Sequence, residues 1–505
     1  MAREHDTRET MSAALRRGEF LKPVLVAVGT LFIVVYILTA LARIFYPYEL
    51  EAMEGGMVDH VLQILAGDKL FVHPSMQFVP YAYPPLFYYL AALLSSMLPV
   101  GFFPLRLISF VASLGILGLI YRFVRRETGE RAWALTAAGL FAATYKLSDA
   151  WLDLARIDSL FLLLVLLFAY LVRFRPARAA YAAAALVLLL AMLTKQSALP
   201  IALPLLAYAV LCRKPGWQWL LGMSVALIGG TLWTLNWLHQ GWYKYYIFDL
   251  TGQRWSQKII SRRILGFWSD DMLGPLAVAV FLFLALLISE WSSEGKKRFL
   301  FYAAFAAGMI GTAWFSRLEY GAYGNALLSA HALLAIGFGL AMARFWQKTG
   351  APAPPANVFL FIVALIQFAH LAYNPLSLIP NAADREAGDR LVATMARMPG
   401  DIMLPGHGFL PYLAGKPRYA HEVAVKNLTR IDNGPIAENL KREFAEAIAA
   451  RRFSALILDK HNWQKPELQR HYDFSGMVFA DKKVFWPVTG NRLRPSFIYV
   501  PKKDP

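Results

Sequence analysis

Charge and cysteine are scarce in this chain of 505 residues. Only 17% of them are Asp, Glu, Lys or Arg, and one is a cysteine, Cys212. Soluble domains carry about a quarter charged residues, so the shortage points to a membrane protein, as does a mean hydropathy of +0.42. A lone cysteine excludes an intramolecular disulfide and leaves the redox compartment undetermined. Acidic residues are the minority charge, 34 against 51 Lys and Arg, for a net charge of +17. No nucleic-acid motif accompanies that excess, so no nucleic-acid partner follows. In a polytopic protein Lys and Arg gather in cytoplasmic loops because they set orientation. No internal repeat at a fixed period is found.

Apolar runs are what the chain has in quantity. They recur near 22–44, 104–124, 131–148, 158–173, 179–194, 198–212, 218–237, 271–289, 299–315, 326–345 and 357–373, and ~20 helical residues span the hydrocarbon core. The first is over-long for a signal-peptide core and lacks a small-residue cleavage site, so it remains as a helix. A further run, "PPLFYYLAALLSSML" (84–98), is short, opens on two prolines and carries no basic cluster. It reads as re-entrant or interfacial. Basic clusters at Arg16/Arg17/Lys22, Arg122/Arg125/Arg126/Arg131, Arg173/Arg175/Arg178, Arg213/Lys214, Lys296/Lys297/Arg298 and Arg344/Lys348 then all fall inside. About eleven crossings follow, with the N-terminus cytoplasmic and the C-terminus outside.

Titratable and aromatic residues crowd the outer loops. "YPYELEAMEGGMVDHVLQILAGDKLF" (46–71) holds Glu49, Glu51 and Glu54; "DAWLDLARID" (149–158) follows, then Lys195–Gln196, the loop 239–270, and "SRLEYGAYGN" (316–325). An unpaired charge at a lipid boundary costs several kcal/mol, so such a gathering marks a candidate site. A helix over 50–66 puts Glu51 and Glu54 three apart on one face, ending near Gly67. The plainer reading of these acids is the solvated side of a surface helix.

Composition changes near 374. "AADREAGDRLVATMARM" (382–398) and "PIAENLKREFAEAIAARR" (435–452) predict helices, the second opened by proline in its first turn. "DIMLP", "SALILD", "GMVFA" and "FIYV" predict short buried strands. The fold class is thus a polytopic α-helical membrane protein, 1–373, followed by a soluble α/β domain, 374–505, of roughly 130 residues. In that domain His407 and His421, fourteen apart with no cysteine nearby, make a weak metal signal, and Asp459 ends a predicted strand.

In order along the chain stand Glu54-Gly55, Gly67-Asp68-Lys69-Leu70-Phe71, Pro84-Pro85-Leu86-Phe87-Tyr88, Arg156-Ile157-Asp158, Thr194-Lys195 and the late "SRLEYGAYGNALLSAHALLAIG". This pattern, over roughly 20–345, resembles the GT-C glycosyltransferases, which include protein O-mannosyltransferases and aminoarabinose transferases. Many relatives have Asp-Glu-Gly in the first loop, whereas here Met53 precedes Glu54; that keeps Glu51 as a rival base. The resemblance implies an inverting transfer from a polyprenyl-phosphate-linked sugar to a hydroxyl on a glycan, lipid or protein, at the outer face of a bacterial inner membrane. Beyond the lipid-linked donor no cofactor is implied for certain, and a divalent metal stays open because a few relatives use one.

Such chemistry needs a base for the hydroxyl and cations for the departing phosphate. Glu54 aligns with the family's acid, while Arg156 and Asp158 organise the acceptor side or orient Glu54. Lys195 needs a phosphate or a carboxylate such as Asp158 as partner. Loop 239–270 offers Arg254, Arg262 and Arg263 for phosphate and Tyr245 for stacking on a sugar, and Arg317, Tyr323 and Asn325 stand within reach of a donor head group. Each of these also has a structural reading: interfacial belt, salt bridge or helix anchor. His331, inside a helix, reads as a core histidine. A transporter or lipid flippase is the alternative class, but transporters show repeated halves with broken helices.

Overall fold

The computed structural model describes residues 20–175, 177–212, 215–251, 257–291, 295–319, 322–347 and 354–503, without the side chains of 257–259 and 262. Among the described residues six helices are long and apolar enough to cross a membrane: Leu21–Arg43, Phe102–Thr128, Trp217–Leu238, Arg263–Glu290, Lys296–Arg317 and Gly324–Phe345. A bent pair, Pro355–His370 with Pro375–Arg397, would be a seventh. Length and composition thus account for fewer crossings than the eleven expected. The difference lies in helices of intermediate length, such as Asp158–Phe174 and Arg178–Thr194, 17 residues each, or about 26 Å at 1.5 Å per residue.

Packing sorts these helices by depth. In the stretch Leu328–Phe345 every residue up to Met342 is buried, whereas Trp217–Leu238 fully buries only Leu220 and Ser224. Leu21–Arg43 lies against Arg131–Ala143, with Gly29 and Gly139 at the crossing. A Cβ on Gly139 would come within 2.3 Å of the Gly29 backbone, the small-residue contact that lets membrane helices approach closely. Pro275 breaks the helical path at Leu276, which has φ −129°. Gln367 repairs the gap: its amide nitrogen donates to the Pro275 carbonyl at 2.8 Å and its oxygen accepts from the Ala279 N–H at 3.3 Å. A backbone pair left unbonded at membrane depth would cost several kcal/mol.

The run 84–98 forms one helix of 10 residues, Leu86–Ser95, about 15 Å long and half the hydrocarbon thickness. It packs against Glu54–Leu65. That second helix begins later than the spacing of the acids predicts: Glu51 sits in a turn before it, with the Glu54 N–H donating to the Glu51 carbonyl at 3.1 Å. The two acids therefore share no helical face. The predicted end holds, with Gly67 in the left-handed region at φ 82°.

Beyond residue 374 the chain forms helices around a four-stranded sheet, β1 Ile402–Met403, β2 Ala455–Leu458, β3 Tyr472–Met477 and β4 Phe497–Pro501, in the order β1-β2-β4-β3. β1 and β2 are parallel and the remaining pairs antiparallel. Helix Ala382–Arg397 starts where a capping box forms, Asn381 accepting from the Asp384 N–H at 2.9 Å and Asp384 returning the bond at 3.1 Å. Helix Pro435–Ala449 opens on its proline. The strand expected at 476–480 lies upstream instead; β3 is an edge strand with mostly exposed side chains, which carries no buried apolar signal to read. One of the domain's two cores is nearly its own, with Leu391, Met395, Ile402, Leu404, Ile457 and Phe485 joined by Tyr48, and the other is shared. Met57, Val58, Val61 and Phe71 of the segment 46–71 and Phe87 of the helix Leu86–Ser95 join Leu440, Phe444, Leu456 and Leu458 in a single buried cluster.

Candidate active site

Where the helix Glu54–Leu65 begins, the Glu54 carboxylate folds into the protein. One oxygen accepts from Arg106 Nε at 3.0 Å and the Ala155 N–H at 2.6 Å; the other accepts from Arg106 Nη2 at 2.6 Å and the Leu50 N–H at 2.7 Å. The group has no exposure to solvent. Burial alone would raise its pKa, but the Arg106 guanidinium and the two backbone donors hold it below the usual carboxylate range. Four donors saturate the carboxylate, which ties residues 50, 106 and 155 together.

Glu51 is placed differently. Its Oε2 accepts from the Met53 N–H at 3.1 Å and from Arg156 Nη1 at 2.9 Å. Burial pushes its pKa up to about 7 against the opposing pull of Arg156. Glu51 and Arg156 both line a cavity of about 790 Å3; Glu54 does not. Arg156 also donates to the Tyr83 hydroxyl at 3.1 Å, lies over the Trp151 ring at 5.2 Å, and keeps a buried Nε with no hydrogen-bond partner.

Lys195 reaches the same wall from the start of the link between two helices. It donates to Asp158 Oδ1 at 2.9 Å, an atom that also accepts from Asn325 at 3.2 Å, while Asp158 Oδ2 accepts from the Trp151 indole at 2.9 Å. Tyr323 stacks on Trp151 with ring centroids 6.1 Å apart. Lys195, Tyr323 and Asn325 line the large cavity, and Asp158 stands behind them. The structure thus brings together Glu51, Arg156, Asp158, Lys195, Tyr323 and Asn325 from segments spread over some 270 residues of sequence.

Other expected residues stand elsewhere. Arg317 makes a two-pronged ion pair with Asp271 at 2.8 Å and donates to the Ala322 carbonyl at 3.0 Å. Arg263 donates to the carbonyls of Arg317 and Ala322 at 3.1 and 3.3 Å. Tyr245 bonds Asp432 at 2.5 Å, joining its loop to the C-terminal domain. None of the three lines the cavity, so these groups anchor the loops around it. Arg254 and the side chain of Arg262 lie outside the described residues.

The C-terminal domain forms the remaining wall, with Asp459, Lys460, Asn462, Trp463, Lys426 and Asn491 facing the cavity. His407 fastens this wall to the segment 46–71: Nδ1 contacts Glu49 and Nε2 contacts Asp459 Oδ1 at 3.0 Å. Burial would lower the imidazole pKa, but the two carboxylates raise it well above its ordinary value. His421 spends its nitrogens on the Val423 N–H and the Gly406 carbonyl. Among the described residues no three His, Cys, Asp or Glu side chains are arranged to hold a metal ion. Tyr83, Trp151 and Trp463 were not singled out from the sequence. Tyr83 lies beside the Pro84-Pro85 motif and Trp151 within the quoted second loop, so adjacency was their one signal. Trp463 had none.

Known proteins resemble this chain in fold and, over part of its length, in sequence. Residues 82–239 match the family described as dolichyl-phosphate-mannose-protein mannosyltransferase, a stretch that holds Tyr83, Arg106, Arg156, Asp158 and Lys195 but not the acids of the first loop. No curated protein matches the sequence. Among solved structures, ArnT from Cupriavidus metallidurans bound to undecaprenyl phosphate superposes with a TM-score of 0.59 at 12% identity, over 94% of this chain and 98% of that one. Its apo state gives 0.58 at 13% identity, over 93% and 97%. The Archaeoglobus fulgidus oligosaccharyltransferase tethered to an acceptor peptide gives 0.50 at 13% identity, over 94% and 76%. In fold over nearly its whole length, and in sequence over residues 82–239, this multi-pass membrane protein is similar to the GT-C glycosyltransferases that use polyprenyl-phosphate-linked sugars.

Proposed function

We propose that the chain is an inverting glycosyltransferase of the bacterial inner membrane, acting on the non-cytoplasmic face with a polyprenyl-phosphate-linked sugar as donor. Glu51 is the general base. It takes the proton of an acceptor hydroxyl as that oxygen attacks the anomeric carbon, and the bond to the phosphate oxygen breaks on the opposite side of the ring. The lipid phosphate leaves with the bonding electron pair, and Lys195 and Arg156 stabilise its charge. Asp158, held by the Trp151 indole and Asn325, orients Lys195. Glu54 is a positioning residue rather than the base, because its oxygens are already spent on four donors.

One observation carries this reading: Glu51, with a pKa pushed up to about 7, and the cations Arg156 and Lys195 line one cavity at the end of the bundle covered by the first outer loop. The opposite end is held by a different pair, Arg173 on Glu127 at 2.6 Å, within a basic cluster of the kind kept in the cytoplasm. The test is transfer from an undecaprenyl-phosphate sugar by purified protein. Glu51→Gln is expected to lose at least 100-fold in kcat, a loss on the order of that expected for removing a general base. Wild-type turnover in that variant would end Glu51's candidacy.

A further inference from the structure

Two cavities meet at Trp463. The large one, which holds Glu51, and a neighbour of about 220 Å3 share Glu422, Lys426, Asn462 and Trp463 as common wall. The four come from the helix Glu422–Ile431 and from the segment between β2 and the helix Lys465–His471. They stand between the cavity of the proposed base and the smaller one. Trp463 is half-buried, and the edge-to-face contact with Phe444, centroids 6.3 Å apart, fixes the tilt of its indole. An indole face flanked by a side-chain amide offers a flat apolar platform with a donor and an acceptor beside it. That combination fits the C–H face and hydroxyls of a pyranose ring.

The charge of this wall has a sign. Lys460 and Arg430 face the large cavity from the C-terminal domain beside two ion pairs, Lys426 with Glu422 and His407 with Asp459. Lys441 lines the smaller cavity and pairs with Glu438 at 2.8 Å. Positive groups around a concave wall concentrate anions there.

We propose that the C-terminal domain supplies the acceptor subsite, and that the acceptor is a saccharide with an anionic substituent: one ring stacks on Trp463 while its carboxylate or phosphate meets Lys426 and Lys460. This rests on the transferase reading, since it assigns the second substrate of that same cavity. It excludes a purely apolar or peptide acceptor as the natural occupant of this wall.

Binding, rather than turnover, separates the subsite from the catalytic proposal. Calorimetric titration of the full-length protein in detergent would use two probes, trigalacturonate as the acidic trisaccharide and maltotriose as the neutral one. The wild type is expected to bind the acidic probe more tightly. Trp463→Leu, which keeps apolar volume without a ring face, should weaken both at least about tenfold, and Trp463→Phe should restore most of the loss. Lys426→Gln with Lys460→Gln should weaken the acidic probe alone. Glu51→Gln is read in transfer alone, so failure of the base assignment would show there and not in these titrations. Absence of binding by the wild type, equal affinity for the two probes, or a Trp463→Leu variant as tight as the wild type would each overturn the proposal.

Discussion

Gly490 rests its α-carbon against the side chain of Glu51. A Cβ at that position would come within 2.5 Å of the glutamate Cγ and 3.3 Å of the Trp151 ring, and the residue has φ 66°. The Thr489 N–H donates to the Leu50 carbonyl at 3.2 Å, so a loop near the end of the chain is stitched over the proposed base. Gly490→Ala therefore both strains the backbone, by about 1–2 kcal/mol, and displaces the carboxylate. Transfer should fall at least tenfold in kcat while donor affinity holds. An alanine variant with wild-type turnover would mean that the loop does not set the position of Glu51.

The pKa of Glu51 gives a pH signature. Burial raises it to about 7, so the folded protein keeps this proton through the range where an unfolded chain has lost it. Stability therefore declines as pH rises from the ordinary carboxylate range to about 7, whereas a base must be ionised. The kcat/KM profile should show an acid limb with its midpoint near 7. A profile flat from about pH 5 to about pH 8 would rule out Glu51 as the ionising group.

Glu54 and Arg106 form a buried ion pair at 2.6 Å. Removing one partner of such a pair costs about 3–5 kcal/mol because the other charge is left uncompensated. Glu54→Gln should lower the unfolding temperature of the purified protein markedly, and Glu54→Gln with Arg106→Leu should recover part of the loss. A Glu54→Gln protein as stable as wild type yet inactive would return the role of base to Glu54.

His407 bridges two carboxylates, one from each side of the junction. With its pKa raised in the folded state, its stabilisation is complete below the ordinary histidine range and is lost as pH rises through the folded value. His407→Asn should loosen the docking of the C-terminal domain by about 3–5 kcal/mol. Limited proteolysis would read this as faster cleavage within 46–83. Unchanged cleavage would show that the shared apolar core holds the junction without the bridge.

Lys195 lines the cavity with its side chain 18% exposed, open enough to meet a phosphate. Lys195→Gln removes a charge-assisted bond of about 1.5–3 kcal/mol and should raise the donor KM roughly tenfold or more with a smaller effect on acceptor KM. An effect on the acceptor alone would move Lys195 to the other substrate.

Much of this was legible in one dimension. Apolar runs, the amphipathic helices at 382–398 and 435–452 and the ordered motifs through Thr194-Lys195 follow from local composition and spacing, which act along the chain. So does the gathering of Glu51, Arg156, Asp158, Lys195, Tyr323 and Asn325 in loops of one side. The roles of the two acids were not legible. Spacing favoured a helix with both on one face, but the turn at Glu51 sends one carboxylate to the cavity and the other into Arg106. Nor did any local signal mark Arg317 as the partner of Asp271, or Tyr245 as that of Asp432.

The chain by itself determined that this is a multi-pass membrane protein with a C-terminal α/β domain and polar clusters in the links between its apolar runs, because transfer from water to lipid depends on composition within short windows. Which carboxylate meets the cavity, which cations are spent on carboxylates and carbonyls elsewhere, and that the C-terminal domain completes the wall were decided only by tertiary packing. Contacts between residues hundreds of positions apart, such as His407 with Glu49 or Gly490 with Glu51, depend on how folded surfaces close, and no window of sequence contains both partners.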